Sequence, residues 1–416
     1  MEYGCIGKKL SHSFSAVIHA RLGDYDYRLV ELTEDELVRF MAEKNFKGIN
    51  VTIPYKQTVI PYLDEIDTAA EKIGAVNTIV NKNGRLIGYN TDFYGMSRLL
   101  EKGGIELAGK NVFILGTGGT SKTANAVAES FGAGNIYTVS RKAENGRISY
   151  DEMYERADEV EVIINTTPVG MFPNNGSTPV APERFKNLCG VADAVYNPLT
   201  TELVRRSRTC GVKAVNGLYM LVAQAARAAE HFFDDNVMTE KTDKVYADIY
   251  KEKLNIALIG MPGSGKSSVG KLIAEKTGRS FFDTDDVFVK ENGVIGDFFS
   301  NYGEKSFRDK ESEIVTRLGV KNGAVIATGG GAVLRDENVA ALKQNGVVIF
   351  LDRELEKIVP TSDRPLGNSR EAMEARYRER YPIYTSAADI SVASDLSVTQ
   401  VAENVIKEFD EFCKGV

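Results

Sequence analysis

The chain has 416 residues, of which 43% are hydrophobic and 26% are charged, and its formal net charge is −7 at pH 7. This length exceeds what one ordinary hydrophobic core takes up, and the composition is that of folded globular domains. The acidic balance argues against general binding of nucleic acid, and no apolar run approaches the roughly 18 residues that a membrane span needs.

The amino-terminal residues 1–10 lack the apolar core of a signal peptide, and the four cysteines lie far apart with no zinc or disulfide pattern. We therefore expect a cytoplasmic protein of two or three domains. Its expected partners are small-molecule substrates, with no nucleic acid and no membrane. The sequence leaves the oligomeric state open.

Short apolar strands alternate with longer amphipathic segments along the whole chain, which predicts α/β layers with parallel sheet. Residues 111–130 and 255–276 each combine a strand, a Gly-rich turn and a helix, so each is predicted to begin a nucleotide-binding unit. Residues 234–253 contain neither Gly nor Pro and have a possible helical face. We interpret them as the terminal helix of the first half, with a junction near Glu252.

Four short motifs in the first third are rich in hydroxyl, amide and charged groups. They are HSFS at 12–15, NVTIPYK at 50–56, GAVNT at 74–78 and NTD at 90–92. Each alone also fits a structural role, as turn serines, a solvated surface lysine or a helix-capping aspartate.

A Rossmann-like turn follows the predicted strand Val112–Leu115, with glycines at Gly116, Gly118 and Gly119. Enzymes that use NAD tend to carry an acidic residue at the end of the next strand, where it binds the ribose 2′-hydroxyl. Here the strand at 136–139 is followed by Ser140, Arg141 and Lys142. A hydroxyl and two cations suit a 2′-phosphate, which predicts NADP, although a solvated basic loop has the same composition.

Together with residues 164–171, 193–198 and 217–224, these motifs resemble shikimate dehydrogenase over about residues 3–250. The resemblance implies a substrate-binding α/β domain at 1–93, completed by helices at 218–251, and a Rossmann NADP domain at 94–217. It implies Lys56 and Asp92 as the catalytic pair, and it leaves open which of the two transfers the proton. Gly217 is expected to contact the cofactor. The residues implied to bind substrate are Ser13, Ser15, Thr52, Asn77 and Gln224.

The second Gly-rich turn matches the phosphate-binding P-loop, with strand 256–259 before it and a helix after it. Lys266 is predicted to reach the β- and γ-phosphates of ATP, and the Ser267 hydroxyl is a predicted Mg²⁺ ligand. The nucleotide-binding residues predicted around this turn are Gly263, Ser264, Gly265, Lys266, Ser267 and Ser268.

Asp283 and Asp285 end the next apolar segment, and an extended chain would aim both carboxylates to the same side. One could serve the Mg²⁺ shell, and the other could accept a hydrogen bond from a substrate hydroxyl. Arg308 and Glu311 share a helix face, for which a surface salt bridge is the usual explanation. Three glycines at 329–331 follow a predicted strand and allow a ligand close to the backbone.

In this order the P-loop, DTD, GEKSFRDKE, GGG, RPL and RYPIY resemble shikimate kinase across 254–416. The resemblance implies a P-loop domain like that of nucleoside monophosphate kinases at 253–416, with a parallel sheet. It implies a metal role for Asp283 and a lid role for Arg364, which would stabilise the transferring phosphoryl group. The segment between the strand at 347–351 and Arg364 is short for a lid. The residues implied to hold shikimate are Asp285, Arg308, Gly330, Gly331 and Arg380.

The two implied reactions act on the same oxygen atom of the substrate. The C3 carbonyl that the first enzyme reduces becomes the hydroxyl that the second enzyme phosphorylates. We therefore expect a bifunctional enzyme that uses NADPH, then ATP and Mg²⁺. One alternative is an NAD-dependent dehydrogenase of quinate or shikimate in the first half. Another is a shikimate-responsive regulator with inactive sites, against which the intact Lys56, Asp92, Lys266 and Asp285 argue.

Overall fold

The computed structural model describes residues 1–10, 14–358 and 370–415. The chain divides into two compact units, Met1–Tyr246 and Ala247–Val416. The boundary between the units lies within the helix Thr242–Lys253. The domain limits expected from the sequence, with a junction near Glu252, stay predictions. Across the described ranges, no helix is both long enough and apolar enough to span a membrane.

The first sheet of the N-terminal unit and the helices beside it lie between Tyr3 and Lys102. The helices and strands of this segment are β1 Tyr3–Gly7, α1 Ser15–Leu22, β2 Tyr27–Glu31, α2 Glu34–Glu43, β3 Gly48–Val51, β4 Glu65–Ile66, α3 Thr68–Ile73, β5 Thr78–Lys82, β6 Arg85–Tyr89 and α4 Thr91–Lys102. Among the described residues the spatial order of the strands is β2-β1-β3-β5-β6-β4. Pairs β1–β2, β1–β3 and β4–β6 are parallel, and β3–β5 and β5–β6 are antiparallel.

Burial in the core of this sheet explains why the sequences of its central strands are mostly apolar. Every residue of β1 is buried, as expected for a central strand covered on both faces. Ile6, Ile49 and Ile79 from β1, β3 and β5 pack with Leu37 of α2 in one apolar cluster. The sheet therefore holds the amino ends of α1 and α4 in fixed positions near the carboxyl ends of its strands.

The second sheet of the N-terminal unit is parallel throughout its described strands. Its elements are β7 Asn111–Leu115, α5 Gly119–Ser130, β8 Asn135–Ser140, β9 Ile148–Ser149, α6 Tyr150–Glu155, β10 Val162–Asn165, β11 Gly190–Asp193, α7 Glu202–Thr209, β12 Lys213–Val215 and α8 Leu218–Phe233. The order β9-β8-β7-β10-β11-β12 is that of the Rossmann fold. The Rossmann prediction for this segment is therefore confirmed.

Helix α8 leaves the second sheet and packs against the first. Ala228 and Phe232 share a buried cluster with Tyr3 of β1 and Val80 of β5. Near its amino end, α8 lies so close to α4 that a Cβ on Gly95 would be 2.6 Å from the Met220 carbonyl oxygen. The chain after the Rossmann strands thus contributes side chains beside α4.

The C-terminal unit contains a parallel sheet with order β14-β15-β13-β16-β17 in the part of the chain that the structure describes. The helix α9 Thr242–Lys253 contains the unit boundary and leads into this unit. The elements that follow are β13 Asn255–Ile259, α10 Lys266–Thr277, β14 Ser280–Asp283, α11 Thr284–Asn292, α12 Ile295–Gly319, β15 Ala324–Ala327, α13 Asp336–Gln344, β16 Gly346–Asp352, α14 Arg370–Ala387, β17 Ile390–Ala393 and α15 Val398–Lys414. Helix α12 is interrupted at Gly303, where φ is +77°. Strands β13, β14 and β15 are parallel neighbours, so the loops at their carboxyl ends lie at the same edge.

Candidate functional sites

A largely buried ion pair in the N-terminal unit joins Lys56 to Asp92. The Lys56 ammonium nitrogen lies 2.6 Å from Asp92 Oδ2, and the two side chains are 20% and 7% exposed. Lys56 is in the turn after β3, and Asp92 is in the first turn of α4. A carboxylate there is stabilised by the positive end of the helix dipole. The structure therefore brings together the two side chains that were predicted as a catalytic pair.

Asp92 is held from its other side by the predicted substrate residue Asn77. Asn77 Nδ2 donates to Asp92 Oδ1 at 2.9 Å. The Asn77 amide oxygen accepts from the backbone N–H of Thr91 at 2.8 Å, which fixes the orientation of the amide. Asn90 caps the helix by accepting from Phe93 N at 3.3 Å. Both oxygens of the Asp92 carboxylate are thus occupied by donors from other elements.

The remaining predicted substrate residues of this unit lie on three different segments. Ser15 is the first residue of α1, and Thr52 follows β3 directly. Gln224 is in α8 near Gly95 of α4, because a Cβ on that glycine would lie 3.1 Å from Gln224 Cβ. Within the described residues, the buried Gln224 Oε1 has no hydrogen-bond partner, so it can accept from a ligand hydroxyl. Ser13 lies outside the described residues.

The Gly-rich turn lies between β7 and α5, at the edge where a Rossmann fold binds a dinucleotide. Gly118 is the N-cap of α5, and a Cβ on Gly118 or Gly119 would meet no heavy atom within 4 Å. This open space above a helix amino terminus suits a pyrophosphate. At Gly116, by contrast, a Cβ would lie 2.8 Å from Thr166 Oγ1. This glycine therefore allows the turn to lie close to the loop that follows β10.

The predicted 2′-phosphate residues stand at the end of β8. Ser140 is the last residue of that strand, and its hydroxyl donates to the Lys142 carbonyl oxygen. Arg141 and Lys142 are exposed. Gly217 is instead the N-cap of α8, where a Cβ would lie 2.2 Å from the Ala194 carbonyl oxygen. Tight packing against backbone therefore accounts for a glycine at 217.

The P-loop of the C-terminal unit connects β13 to α10. Gly265 is the N-cap of α10 with φ +94°, a conformation that glycine adopts without strain. Lys266 Nζ donates to the carbonyl oxygens of Gly260 and Met261, both at 2.8 Å. The ammonium group is thus held within the loop that surrounds the phosphates in P-loop proteins.

Two residues that sequence reasoning did not select also contact the P-loop. Ser394, after β17, donates its hydroxyl to the Ser264 carbonyl oxygen at 2.7 Å. Arg353, after β16, donates to the Gly263 carbonyl oxygen at 3.4 Å. Both lie far along the chain from the motif, so the sequence pattern carries no signal for these contacts. Ser268 is exposed in the first turn of α10.

The predicted magnesium residues are in direct contact. Ser267 Oγ donates to Asp283 Oδ2 at 2.6 Å. Asp283 is buried at the end of β14, where its other oxygen accepts from Asp285 N at 3.0 Å. One hydroxyl and one carboxylate fit Mg²⁺, which usually takes one or two carboxylates and keeps several waters. In the described ranges no group of three or more His, Cys, Asp or Glu side chains has the geometry of a metal site.

The expectation that Asp283 and Asp285 share one side of an extended chain is wrong. Asp283 is the N-cap of α11 and Asp285 lies inside its first turn, so the chain turns between them. The Asp285 carboxylate instead faces the glycine loop after β15, since a Cβ on Gly329 would be 2.7 Å from Asp285 Oδ1. The helical turn thus separates the metal-side carboxylate from the one at the glycine loop.

Arg308 and Glu311 also lie at the glycine loop. Arg308 Nη1 is 2.7 Å from Glu311 Oε2, and the side chains are only 12% and 4% exposed. The surface salt bridge considered for this pair is therefore wrong. Burial raises the pKa of Glu311, which the charge of Arg308 opposes. A Cβ on Gly331 would lie 2.2 Å from Arg308 Nη1, so the guanidinium lies directly on this glycine.

Arg380 approaches the same loop from α14. It is buried, and its Nη1 donates to the Gly330 carbonyl oxygen at 3.0 Å. Tyr384, one turn later, donates to the same oxygen at 2.5 Å. Arg380 Nε is buried and has no hydrogen-bond partner among the described residues. The guanidinium therefore retains a donor for an anionic ligand. Arg364 lies outside the described residues.

Comparison with known proteins agrees with both halves of the prediction. Over 267 residues the chain is 37% identical to the shikimate dehydrogenase (NADP(+)) of Clostridium beijerinckii, covering 60% of this chain and 99% of that protein. The shikimate dehydrogenase substrate binding domain family matches residues 5–79, and the shikimate kinase family matches residues 262–410. The chain belongs to the shikimate dehydrogenase family and carries a shikimate kinase domain.

Solved structures give the same result for the dehydrogenase half. A chorismate mutase/shikimate 5-dehydrogenase fusion protein from Clostridium acetobutylicum is 38% identical, with a TM-score of 0.55, and the match covers 59% of this chain and 94% of that one. Shikimate 5-dehydrogenase from Thermus thermophilus, solved in complex with NADP(H) and shikimate, is 28% identical, with a TM-score of 0.52, over 59% and 99%. The predicted fold class, the fusion and the NADP, ATP and Mg²⁺ cofactors are confirmed.

Two residues at the glycine loop of the kinase domain lie within the sequence motifs but were not predicted as site residues. Glu311 orients Arg308, and Tyr384 shares the Gly330 carbonyl oxygen with Arg380. Their positions in GEKSFRDKE and RYPIY were the available signal. Their contacts depend on the fold, because α12, α14 and the loop after β15 converge only in the folded kinase domain.

Proposed function

We propose that the Lys56–Asp92 pair carries out the reduction step of this bifunctional enzyme, which converts 3-dehydroshikimate to shikimate and then to shikimate 3-phosphate. The observation that carries the proposal is the 2.6 Å contact between Lys56 Nζ and the buried Asp92 carboxylate. Bound NADPH supplies the hydride that adds to the C3 carbonyl carbon. The carbonyl oxygen must gain a proton in the same step, and the Lys56–Asp92 pair is the proposed source of that proton.

The geometry allows Lys56 to act as both a charge stabiliser and an acid. Its ammonium group is a fixed positive charge in a largely buried site, where it stabilises negative charge developing on the ketone oxygen. Asp92 holds that ammonium group, and Asn77 holds Asp92. The proposal leaves open whether Lys56 or Asp92 transfers the proton. Ser15, Thr52, Asn77 and Gln224 are the groups we assign to the carboxylate and hydroxyls of the substrate.

NADP is held, in this proposal, by the amino terminus of α5 and by the end of β8. The open space above Gly118 and Gly119 supports the pyrophosphate position. Arg141 and Lys142 supply two exposed cations for the 2′-phosphate, and Ser140 supplies a hydroxyl. NAD lacks this phosphate, so the basic residues have no counterpart in the alternative of an NAD-dependent quinate dehydrogenase.

In the kinase domain, we propose that Asp285 is the general base that accepts the proton of the C3 hydroxyl. The C3 hydroxyl loses its proton to this carboxylate, its oxygen bonds to the γ-phosphorus of ATP, and the bond to the bridging β–γ oxygen breaks. Lys266 would neutralise the phosphates, and Ser267 with Asp283 would hold Mg²⁺. Arg308 and Arg380 would bind the shikimate carboxylate, which is supported by Arg380 Nε, a donor without a partner among the described residues. The lid role of Arg364 remains part of the proposal on the basis of its motif alone.

One reaction tests the whole proposal. The full chain is mixed with 3-dehydroshikimate, NADPH, ATP and Mg²⁺, and the products are separated and identified. Formation of shikimate 3-phosphate is the expected result. If the reaction stops at shikimate, the proposed kinase activity is refuted. If NADPH is not consumed, the proposed dehydrogenase activity is refuted. Parallel assays with quinate and NAD test the alternative, which would be favoured by a strong preference for that pair.

The finer points of location and partners are also part of the proposal. We place the enzyme in the cytoplasm, where its cofactors are available, and all four of its cysteines are free thiols. The net charge of −7 speaks against nucleic acid as a partner.

A further inference from the structure

A row of hydrogen bonds leads from the catalytic pair into the interior of the first sheet. Asp92 Oδ1 accepts from Asn77 Nδ2 at 2.9 Å. The Asn77 amide oxygen in turn accepts from Thr78 Oγ1 at 3.2 Å. Thr78 is fully buried, and Asn77 and Asp92 are each 5% exposed. These polar groups are therefore largely removed from water and depend on one another for their hydrogen bonds.

The row continues beyond Thr78 and ends at a tyrosine on the other side of β1. Asn50 Nδ2 donates to Thr78 Oγ1 at 3.0 Å. The Tyr27 hydroxyl donates to Asn50 Oδ1 at 2.6 Å. Tyr27 is the first residue of β2 and Asn50 lies in β3, with β1 paired between these strands. The row thus connects the strands β2, β3 and β5 of one sheet with the amino end of α4.

All donors in this row point the same way. The Tyr27 hydroxyl donates to an amide oxygen, the Asn50 amide donates to a hydroxyl, the Thr78 hydroxyl donates to an amide oxygen, and the Asn77 amide donates to the Asp92 carboxylate. Aligned hydrogen bonds polarise one another in a low-dielectric interior. Loss of the Tyr27 hydroxyl removes a donor to Asn50 Oδ1. Loss of the Thr78 hydroxyl removes one donor to the Asn77 amide oxygen, which keeps the N–H of Thr91. Either loss therefore weakens the bonds nearer the carboxylate.

The outer end of the row is held by aromatic packing. The Tyr27 ring is stacked on His19, with centroids 3.8 Å apart and planes at 10°. Tyr25 places its hydroxyl oxygen 2.5 Å from His19 Nδ1. Burial lowers the pKa of His19 to about 3, although the Asn50 side chain opposes this, so the ring is neutral near pH 7. The charged groups of the row are thus confined to its catalytic end.

We propose that Tyr27 and Thr78 are positioning residues of the dehydrogenase reaction. They act through Asn50 and Asn77 to fix the Asp92 carboxylate, which in turn fixes the Lys56 ammonium group. The inference rests on the proposed catalytic role of the Lys56–Asp92 pair. It adds two residues that do not touch the pair and that lie in different strands.

The test compares substitutions that remove a hydroxyl with one that keeps it. Thr78→Val has nearly the shape of threonine without the hydroxyl, and Thr78→Ser keeps the hydroxyl. Tyr27→Phe removes the donor at the outer end, and Tyr25→Phe is the matched control because its hydroxyl bonds His19 outside the row. Kinase activity of each preparation provides an internal measure of the amount of protein with a folded C-terminal unit.

We expect Thr78→Val and Tyr27→Phe to lower kcat for reduction roughly 10-fold with little change in KM, since a displaced catalytic group mainly affects the chemical step. With NADPH deuterated at the transferred position, the isotope effect on kcat should rise in both. Thr78→Ser and Tyr25→Phe should stay within about 2-fold of the wild type.

Three results would overturn the inference. One is an unchanged kcat in Thr78→Val and Tyr27→Phe. Another is an equal loss in Thr78→Ser, and the third is an effect in Tyr25→Phe as large as in Tyr27→Phe, since either would indicate packing rather than the hydrogen bonds. Failure of the wild-type chain to reduce 3-dehydroshikimate would instead refute the proposed function. If Thr78→Val does not fold, the comparison of Tyr27→Phe with Tyr25→Phe decides the matter alone.

Discussion

Replacement of Lys56 by methionine removes one ammonium group and keeps a side chain of similar length. Without this charge, the buried Asp92 carboxylate loses its contact with the ammonium group and keeps the hydrogen bond from Asn77. The variant therefore tests both the chemistry and the electrostatics of the pair.

The expected loss of reductase activity is on the order of 10²- to 10⁴-fold, the usual contribution of a positioned general acid. The N-terminal unit should also lose stability, because removal of one partner from a buried ion pair costs about 3–5 kcal/mol. The lower part of that range is appropriate, since Lys56 is 20% exposed and water can replace part of the contact.

The assay measures the initial rate of NADPH consumption and, in the same preparation, the rate of shikimate phosphorylation. Lys44→Met is the matched control, since Lys44 pairs with Asp64 at 3.3 Å but both side chains are at least one-third exposed. We expect the control to keep both activities and Lys56→Met to keep phosphorylation alone. If Lys56→Met retained more than about a tenth of the wild-type reduction rate, the catalytic role of the pair would be refuted.

Three further predictions follow from single contacts. Lys266→Met should lower phosphorylation by at least roughly 100-fold and leave reduction unchanged in the same two assays, because this ammonium group is held within the P-loop. Gly331→Ala should raise the KM of the kinase for shikimate roughly 10-fold, as measured by initial rates, because its Cβ would displace the Arg308 guanidinium. Burial raises the pKa of Asp193 from 3.8 to about 6, so its contribution to the free energy of unfolding is present below pH 3.8 and is lost as the pH rises through about 6. Asp193→Asn lacks this titration, and the stability of the wild type relative to the variant, from denaturant unfolding, should fall by up to about 3 kcal/mol across that window.

The local elements of the fold were predictable from the sequence because strand, Gly-rich turn and helix adjoin along the chain. The strand predicted at 256–259 is observed as Asn255–Ile259, and the one predicted at 347–351 as Gly346–Asp352. Both are buried parallel strands, whose continuous apolar runs are easily recognised. The motif order along the chain also identified Lys56 and Asp92, which the fold brings to 2.6 Å.

Contacts between distant segments were not predictable in the same way. The spacing of Arg308 and Glu311 is equally compatible with a solvated helix face, and burial by other elements decides between these interpretations. Asp283 and Asp285 were expected to share one side because an extended chain was assumed, whereas the first turn of α11 begins at 284. Tyr27 had no motif at all, since its role depends on Asn50 across an intervening strand.

The two proposed active sites share a physical arrangement in which a cation is held by a carboxylate of the protein. Asp92 holds the Lys56 ammonium group, and Glu311 holds the Arg308 guanidinium. Such fixed charges need little reorganisation during the reaction, which is the main source of electrostatic catalysis. Lys266 differs, because its partners are neutral carbonyl oxygens rather than the oxygens of a carboxylate. Phosphate oxygens attract an ammonium group more strongly than carbonyl oxygens do, so this lysine can exchange its partners when nucleotide binds, whereas Lys56 and Arg308 can keep theirs.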